Sequence, residues 1–203
     1  MGDQSFPHKK YSTPRHPWEK GRIDAEKEIV RKYGLKNKRE LWKGQAVLDS
    51  FRTQARDLQA RLRYNDPNAT VQYQNMIKRL SRYNMLGENA TLDDVLSLTI
   101  EDVLERRLQT VVFRKNLATT QKQARQLITH GHVSLDGRRT TIPSLLVEAK
   151  HEDSIVYDSA SPLQDELHPI RQVILGEKQA EEEPEEGAEQ AAAEQKGREG
   201  RRR

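Results

Sequence analysis

Apolar residues recur at helical spacing along much of the chain. Leu41, Val47, Leu48, Phe51, Ala55, Leu58 and Leu62 keep that spacing from Asn37 to about Tyr64, and Asn37-Lys-Arg-Glu40 offers a capping box at the start. This predicts one long helix, in which Gly44 marks either a break or a close backbone approach. A shorter helix is expected over Ile23 to Tyr33, anchored by Ile23, Ile29 and Val30 and ended by Gly34. Asn65-Asp-Pro-Asn68 reads as a turn. Thr70 to Leu86 reads as a further helix that turns Met76, Ile77, Leu80 and Tyr83 inward and stops at Gly87. Thr91 caps a short helix through Leu98, and Thr99 caps the next one.

From Glu101 the pattern becomes denser. Leu104, Leu108, Val111 and Val112 predict a helix over Glu101 to Phe113, with Arg106, Arg107 and Arg114 on its other side. Thr120-Gln-Lys-Gln123 is a capping-box pattern for a second helix that stops at Gly131. Its apolar stripe is Ala124, Leu127 and Ile128, opposite Lys122, Arg125 and Thr129. Val133 to Leu135, the turn Asp136-Gly137 and Arg138 to Ile142 then alternate as a hairpin with a turn of the primed type. Leu145 to Val147 and Ser154 to Tyr157 are expected to complete a small sheet. Ser161-Pro162 and His168-Pro169 return the chain to irregular structure.

The fold class is therefore α+β. Residues 1–22 form an extended basic arm, 23–100 a helical subdomain, 101–160 a module of two helices plus a short antiparallel sheet, 161–176 an irregular extension, and 177–203 a disordered acidic tail. Ser5 to Arg22 contains three prolines, at 7, 14 and 17, and so is not expected to be a regular helix. The tail has no bulky apolar residue to anchor a core.

Charge adds a partner to this picture. The 203 residues carry 35 Lys and Arg against 31 Asp and Glu, a net +4, but the signs are segregated. Residues 1–63 hold 16 cations against 8 anions and residues 101–139 hold 8 against 4, whereas residues 140–176 hold 2 against 6 and residues 177–203 hold 6 against 9. Two separate basic blocks suit one large polyanion gripped from two sides. Structured RNA fits best, because proteins hold it mostly by shape and backbone phosphates. In the arm, Lys9, Lys10, Arg15, Lys20 and Arg22 are candidate phosphate contacts, and Tyr11, Trp18, His8 and His16 are candidates for stacking on unpaired bases. The long helix adds Lys38, Arg39 and Lys43. The module adds Arg106, Arg107, Arg114, Lys115, Lys122, Arg125, His132, Arg138 and Arg139, two of them at the hairpin tip.

Other chemistries find little support. Cysteine is absent, which removes disulfides and thiolate metal sites and agrees with a reducing, cytoplasmic setting. No stretch reaches the apolar length of a membrane span, and Met1 to Tyr11 is not expected to be a secretory signal. His130 and His132 flank Gly131 without the same-face spacing of helical metal ligands. Asp93 and Asp94 are adjacent at a helix start, where carboxylates complement the dipole. No phosphate loop or nucleophile elbow appears, so no catalytic residue, cofactor or small-molecule substrate is expected.

Leu104-Glu-Arg-Arg-Leu-Gln-Thr110, Leu117-Ala118, Gln123-Ala-Arg-Gln-Leu-Ile128, His130-Gly-His-Val133, Asp136-Gly137 and Ile142-Pro-Ser144 resemble the RNA-binding module named after small-subunit ribosomal protein four. Pseudouridine synthases, some RNA methyltransferases and tyrosyl-tRNA synthetases attach a similar module to a large catalytic domain, for which this chain has no room. Around the module, Tyr11-Ser-Thr-Pro-Arg-His-Pro-Trp18, Tyr33-Gly-Leu-Lys-Asn-Lys-Arg-Glu-Leu-Trp42 and Leu92-Asp-Asp-Val-Leu-Ser-Leu98 resemble the archaeal and eukaryotic branch of the ribosomal protein four family, over roughly residues 8 to 175. The resemblance implies a non-catalytic component of the small ribosomal subunit that binds small-subunit ribosomal RNA early and nucleates folding of its 5′ domain. It also implies contact with neighbouring ribosomal proteins, including small-subunit protein five, near the messenger RNA entry, and a contribution to decoding accuracy. Many bacterial members hold zinc through cysteines; with none here, zinc is not carried over. The alternatives are a free RNA chaperone or ribosome-rescue factor using the same module, and a translational repressor that binds its own messenger RNA.

Overall fold

The computed structural model describes residues 8–87 and 89–174; residues 1–7 and the whole tail 177–203, with its terminal Arg201 to Arg203, lie outside the described residues. Helix α1 spans Lys20–Lys32, three residues earlier than the spacing of its apolar residues suggests. Lys20 and Arg22 are thus helical rather than part of the arm. The reason is local: Arg22 donates to Glu26 at 2.6 Å one turn on, and the Ile23 N–H reaches Glu19 O at 3.1 Å.

Helix α2 (Lys38–Arg63) begins where Asn37 Oδ1 accepts the Glu40 N–H. Only half of the expected capping box forms, because the Glu40 carboxylate is engaged elsewhere. The helix runs unbroken through Gly44, where a Cβ would lie 3.8 Å from Leu104 and 3.9 Å from Ile100; the glycine marks close approach of a neighbouring helix. Helix α3 (Pro67–Arg82) starts earlier than expected, since Pro67 occupies its first position and the Asp66 carboxylate accepts the Asn68 N–H. It also ends earlier, so Tyr83 caps it and is half-buried rather than a core residue. Helices α4 (Leu92–Ser97) and α5 (Ile100–Glu105) follow, each with an aspartate, Asp94 or Asp102, accepting from the N-cap threonine. Leu48, Phe51, Ala55 and Leu58 of α2 pack against Met76, Ile77 and Leu80 of α3 and Val95, Leu98 and Val103 beyond it. At about 1.5–3 kcal/mol for each large side chain removed from water, this layer holds the helical half together.

The expected helix over 101–113 is two helices. Helix α5 stops at Glu105, helix α6 (Leu108–Arg114) starts afresh, and Arg107 between them is extended with φ −72° and ψ 141°. The returning chain explains the break. Leu108 N–H donates to Leu145 O at 2.7 Å, Val147 N–H to Arg106 O at 2.9 Å, and Arg107 forms an antiparallel bridge with Leu146. Backbone groups that a continuous helix would satisfy internally are satisfied by this segment instead. Leu145 to Val147 consequently does not join the sheet.

Helix α7 (Gln121–Thr129) packs on α6, and strands β1 (Val133–Leu135), β2 (Arg138–Arg139) and β3 (Ile155–Tyr157) form an antiparallel sheet in the order β2-β1-β3. Asp136 and Gly137 have φ of 51° and 74°, as a primed turn requires. Pairing Ser134 with Arg139 and Leu135 with Arg138 ends β2 well short of Ile142. Leu108, Val111, Val112, Ala124, Leu127, Ile128, Val133, Val147 and Ile155 make a second core under the sheet. Thr120 Oγ1 accepts the Gln123 N–H as expected, but the Gln123 amide oxygen accepts from Thr119 rather than closing the box. Beyond β3 the chain is less irregular than expected: Pro162–Gln164 is a 3-10 turn, and residues 169–174 are helical.

Five helices share one ending. After α1, α2, α3, α6 and α7 comes a residue with positive φ, namely Gly34, Asn65, Asn84, Asn116 and Gly131. In each case its N–H and the next one turn back onto the last helical turn, as His132 N–H does to Leu127 O and Gly131 N–H to Ile128 O.

Candidate nucleic-acid interface

The cations proposed from sequence to touch RNA fall into two groups once their neighbours are known. Arg106 and Arg107 are among the most buried charged residues, at 4% and 5% exposure. Arg106 donates to Glu152 at 2.9 Å and Arg107 to Glu40 at 2.8 Å. The break between α5 and α6 turns them inward, whereas a continuous helix would have pointed them out. Arg125 donates to both Glu40 oxygens, at 2.9 and 3.1 Å. Arg22 and Lys38 both pair with Glu26, Arg114 with Glu105, Lys115 with Asp153, and Arg139 with Asp158 at 2.6 Å. His132 Nδ1 lies 2.9 Å from Ser161 Oγ. By contrast Lys9, Lys10, Arg15, Lys20, Arg39, Lys43, Lys122 and Arg138 have no carboxylate within ion-pair distance among the described residues, and all of them are exposed or nearly so. Trp18 is 90% exposed, whereas Tyr11 is stacked on Trp42 with ring centroids 6.0 Å apart.

Glu40 is the hub of the first group. It sits in the first turn of α2 and receives Arg107, which precedes α6, and Arg125, from the middle of α7. Burial pushes its carboxyl upward, but the hydrogen bonds from Arg125 and Arg107 outweigh that and hold it below the ordinary carboxylate value. Glu26 behaves alike: burial raises it, and Lys38, Trp42 and Arg22 together lower it. Gln109, 1% exposed, adds a neutral junction, since its Nε2 lies 3.1 Å from Tyr33 O and Gly34 O and 2.9 Å from Gln121 O. Gly34 is needed there, because with φ +56° a Cβ would come within 2.8 Å of Gln121 and 3.0 Å of the Gln109 amide. On the far side of α1, Tyr33 and Lys32 both reach the Glu101 carboxylate; burial and that charge push the Tyr33 hydroxyl up to about 12.

These contacts lock the helical half to the module. Beside the lock lies a cleft of about 360 Å³ bounded by Glu40, Lys43, Arg107, Arg125 and the Pro143-Ser144 turn, three cations against one carboxylate. Of the cations without an ion pair among the described residues, Lys43 lines it, and Lys122 lies three residues before Arg125 on α7. The arrangement offers fixed positive charge and nothing for bond-making chemistry. Among the described residues no three His, Cys, Asp or Glu side chains could share a metal ion, and no helix is long and apolar enough to cross a membrane. Asp94 caps α4, and Asp93 faces only Gln59 at 3.5 Å.

Sequence reasoning gave no structural role to Glu26, Glu101 or Gln109 and gave Glu40 only a capping one. One signal for Gln109 was available: it interrupts an otherwise apolar stretch between Leu108 and Val111, where a polar residue needs partners. The acidic hubs left no such signal, because apart from Arg22, one turn before Glu26, their partners are between 12 and 85 residues away.

Comparison with known proteins agrees with this division of the chain. The family described as "Ribosomal protein S4/S9 N-terminal domain" matches residues 5–105, and the "S4 domain" matches residues 106–153. The two meet at the α5–α6 break. A small ribosomal subunit protein uS4 from Thermoplasma acidophilum is 64% identical over 194 residues, covering 96% of this chain and 98% of the relative. The protein of the same name from Picrophilus torridus is 65% identical over 90% of this chain and 100% of the relative, and that from Methanococcus maripaludis is 49% identical over 87% and 98%. Similarity at this level over nearly the whole length, with both domains in the same order, means that the chain belongs to the ribosomal protein S4 family, alongside its archaeal members.

Proposed function

We propose that this protein is a structural constituent of the small ribosomal subunit that binds the 5′ domain of small-subunit ribosomal RNA directly and early, nucleating assembly and contributing to translational accuracy. Its family is one of ribosomal proteins, not enzymes. The observation that carries the RNA reading is the sorting of cations. Arg107 and Arg125 are spent on Glu40, which holds the two halves in register, and Arg106 on Glu152 within the module, while Lys43 in the cleft, Lys122 on α7 and Arg138 at the hairpin tip have no carboxylate partner among the described residues. A rigid frame with free cations is what a phosphate backbone of defined shape requires. In this reading α6, α7 and the Asp136-Gly137 turn clamp a helical junction, and the arm, tethered at Tyr11, runs along adjoining RNA. Small-subunit protein five and the messenger RNA entry are the proposed neighbours.

The test is a salt titration of binding to the 5′ domain of small-subunit ribosomal RNA beside an unrelated structured RNA. Preference for the ribosomal fragment by on the order of a hundredfold is expected, with a steep salt dependence. Lys122→Glu with Arg138→Glu should lower the logarithmic salt slope by about 1.5–2 while leaving the melting temperature unchanged. Equal affinity for both RNAs, together with sedimentation away from subunits, would instead favour a free RNA chaperone.

A further inference from the structure

The antiparallel pair α2 and α3 leaves between its helices a groove of about 440 Å³. Its floor is apolar: Phe51, Leu58 and Met76, all buried. Its rim carries three exposed amides, Gln54, Gln72 and Asn75, and two exposed guanidiniums, Arg61 and Arg79, against the single carboxylate of Asp57. Arg79 lies over the Phe51 ring at 5.3 Å. None of the rim side chains makes a hydrogen bond or ion pair among the described residues.

Other polar groups of the same half are engaged. Arg52 donates to Leu98 O at 2.6 Å and Tyr73 to Ala90 O at 2.8 Å, so the polar groups around α4 are used internally. The groove also continues. A smaller concavity of about 220 Å³ shares Phe51, Gln54 and Arg79 with it and extends along Ala46 and Ser50 to Lys10 of the arm. From Ala46 to Arg61 the track follows fifteen residues of α2, about 22 Å at the rise of an α-helix. Lys10, Arg79 and Arg61 mark it at intervals, and one helical turn past Arg61 stands Tyr64, 87% exposed.

A basic track with free amides, a flat apolar floor and an exposed aromatic ring at its end has the chemistry of a site for unpaired nucleotides. Base edges meet the amides, base faces meet Tyr64 and the Arg79 guanidinium stacked on Phe51, and phosphates meet the cations. We propose that the α2–α3 groove is a second RNA subsite, which takes a single-stranded segment of the RNA held by the module and seats an unpaired base over Phe51, Leu58 and Met76. This rests on the RNA-binding reading above. The excess of cations over carboxylates favours RNA over a peptide from a neighbouring protein.

The experiment uses the full chain bound to the 5′ domain of small-subunit ribosomal RNA, with base-specific chemical probing of the RNA. Asn75→Trp fills the groove from an exposed position; Arg61→Gln with Arg79→Gln removes the phosphate partners and keeps the shape. Circular dichroism should be the same for all three proteins. The wild-type chain should protect a short unpaired run that Asn75→Trp leaves reactive, with affinity falling about tenfold and the rest of the footprint unchanged. The double glutamine variant should lower the logarithmic salt slope by about 1.4, the value for two contacts to a single strand. Identical footprints for wild type and Asn75→Trp, with binding intact, would overturn the subsite and leave the RNA reading standing. An unchanged RNA footprint with loss of a neighbouring protein from reconstituted subunits would assign the groove to a peptide and overturn it too. Failure of the wild-type chain to prefer the ribosomal fragment would remove the RNA reading itself, and the subsite with it.

Discussion

Replacing Glu40 by glutamine tests the joint between the two halves. The side chain is 18% exposed and its partners Arg107 and Arg125 are 6% and 23% exposed, so solvent screens the contacts only in part. Three hydrogen bonds of 2.8, 2.9 and 3.1 Å end on the carboxylate. Each hydrogen bond to a charged group contributes about 1.5–3 kcal/mol, but two share one guanidinium and do not add fully. Glutamine keeps one acceptor oxygen, while Arg107 keeps a buried charge with no counter-charge. The expected loss is about 3 kcal/mol, at the lower edge of the range for breaking a buried pair. For a domain of this size that lowers the melting temperature by roughly 6–12 °C. Calorimetry at pH 7 reads it directly, and a cycle with Arg125→Gln should return a coupling of about 1–2 kcal/mol. The pH dependence follows from the lowered folded-state pKa of Glu40. Its contribution is fully present above the ordinary carboxylate value of the unfolded chain and disappears as pH falls through the lower folded value, so the gap between wild type and variant should close in acid. A variant that melts within about 1 °C of wild type at pH 7, with no gap to close, would refute the view that Glu40 holds the halves together.

Gln109→Leu keeps the volume but leaves the carbonyls of Tyr33, Gly34 and Gln121 without their donor, and should cost about 3 kcal/mol by chemical denaturation, more than Gln126→Leu on the exposed face of α7. Gly131→Ala should cost at least about 1 kcal/mol, since φ is +75° and the new Cβ would lie 2.9 Å from Arg139 Cδ. Because it also pushes Arg139 away from Asp158, the variant should change the nuclear magnetic resonance shifts of both β2 and Asp158; unchanged spectra and stability would contradict this packing.

The helices were legible because their information is local. Capping residues at Asn37, Thr91, Thr99 and Thr120 and apolar stripes in α2, α3 and α7 gave their positions to within a few residues. The turn at Asp136-Gly137 was legible for the same reason. Helix α3 was misjudged at both ends: Pro67 and the Asp66 cap start it early, and Asn84 at positive φ is a stop signal as strong as glycine. The break at Arg106 was hidden because its cause is the segment 143–147, about forty residues downstream. Apolar periodicity passes straight through it, as Leu104, Leu108 and Val111 all remain buried. The basic character of the surface could be read from composition, but the division of labour among arginines could not, because a guanidinium paired with Glu40 and one facing solvent are identical in sequence.

The joint at Glu40 also sets an order in time. A nascent chain that has been made as far as Glu105 contains the whole helical half, with Glu40 in place and the Tyr33 and Gly34 carbonyls awaiting the Gln109 amide. Arg107 and Gln109 come within the next few residues, but Arg125 is twenty positions further on. At about 5–20 residues per second that is a wait of roughly 1–4 s. Until then the helical half must stand on its own core, and the geometry of the cleft does not yet exist. Closure of the two halves therefore waits on the module, and any partner that reads the cleft meets only a chain made at least as far as Leu146.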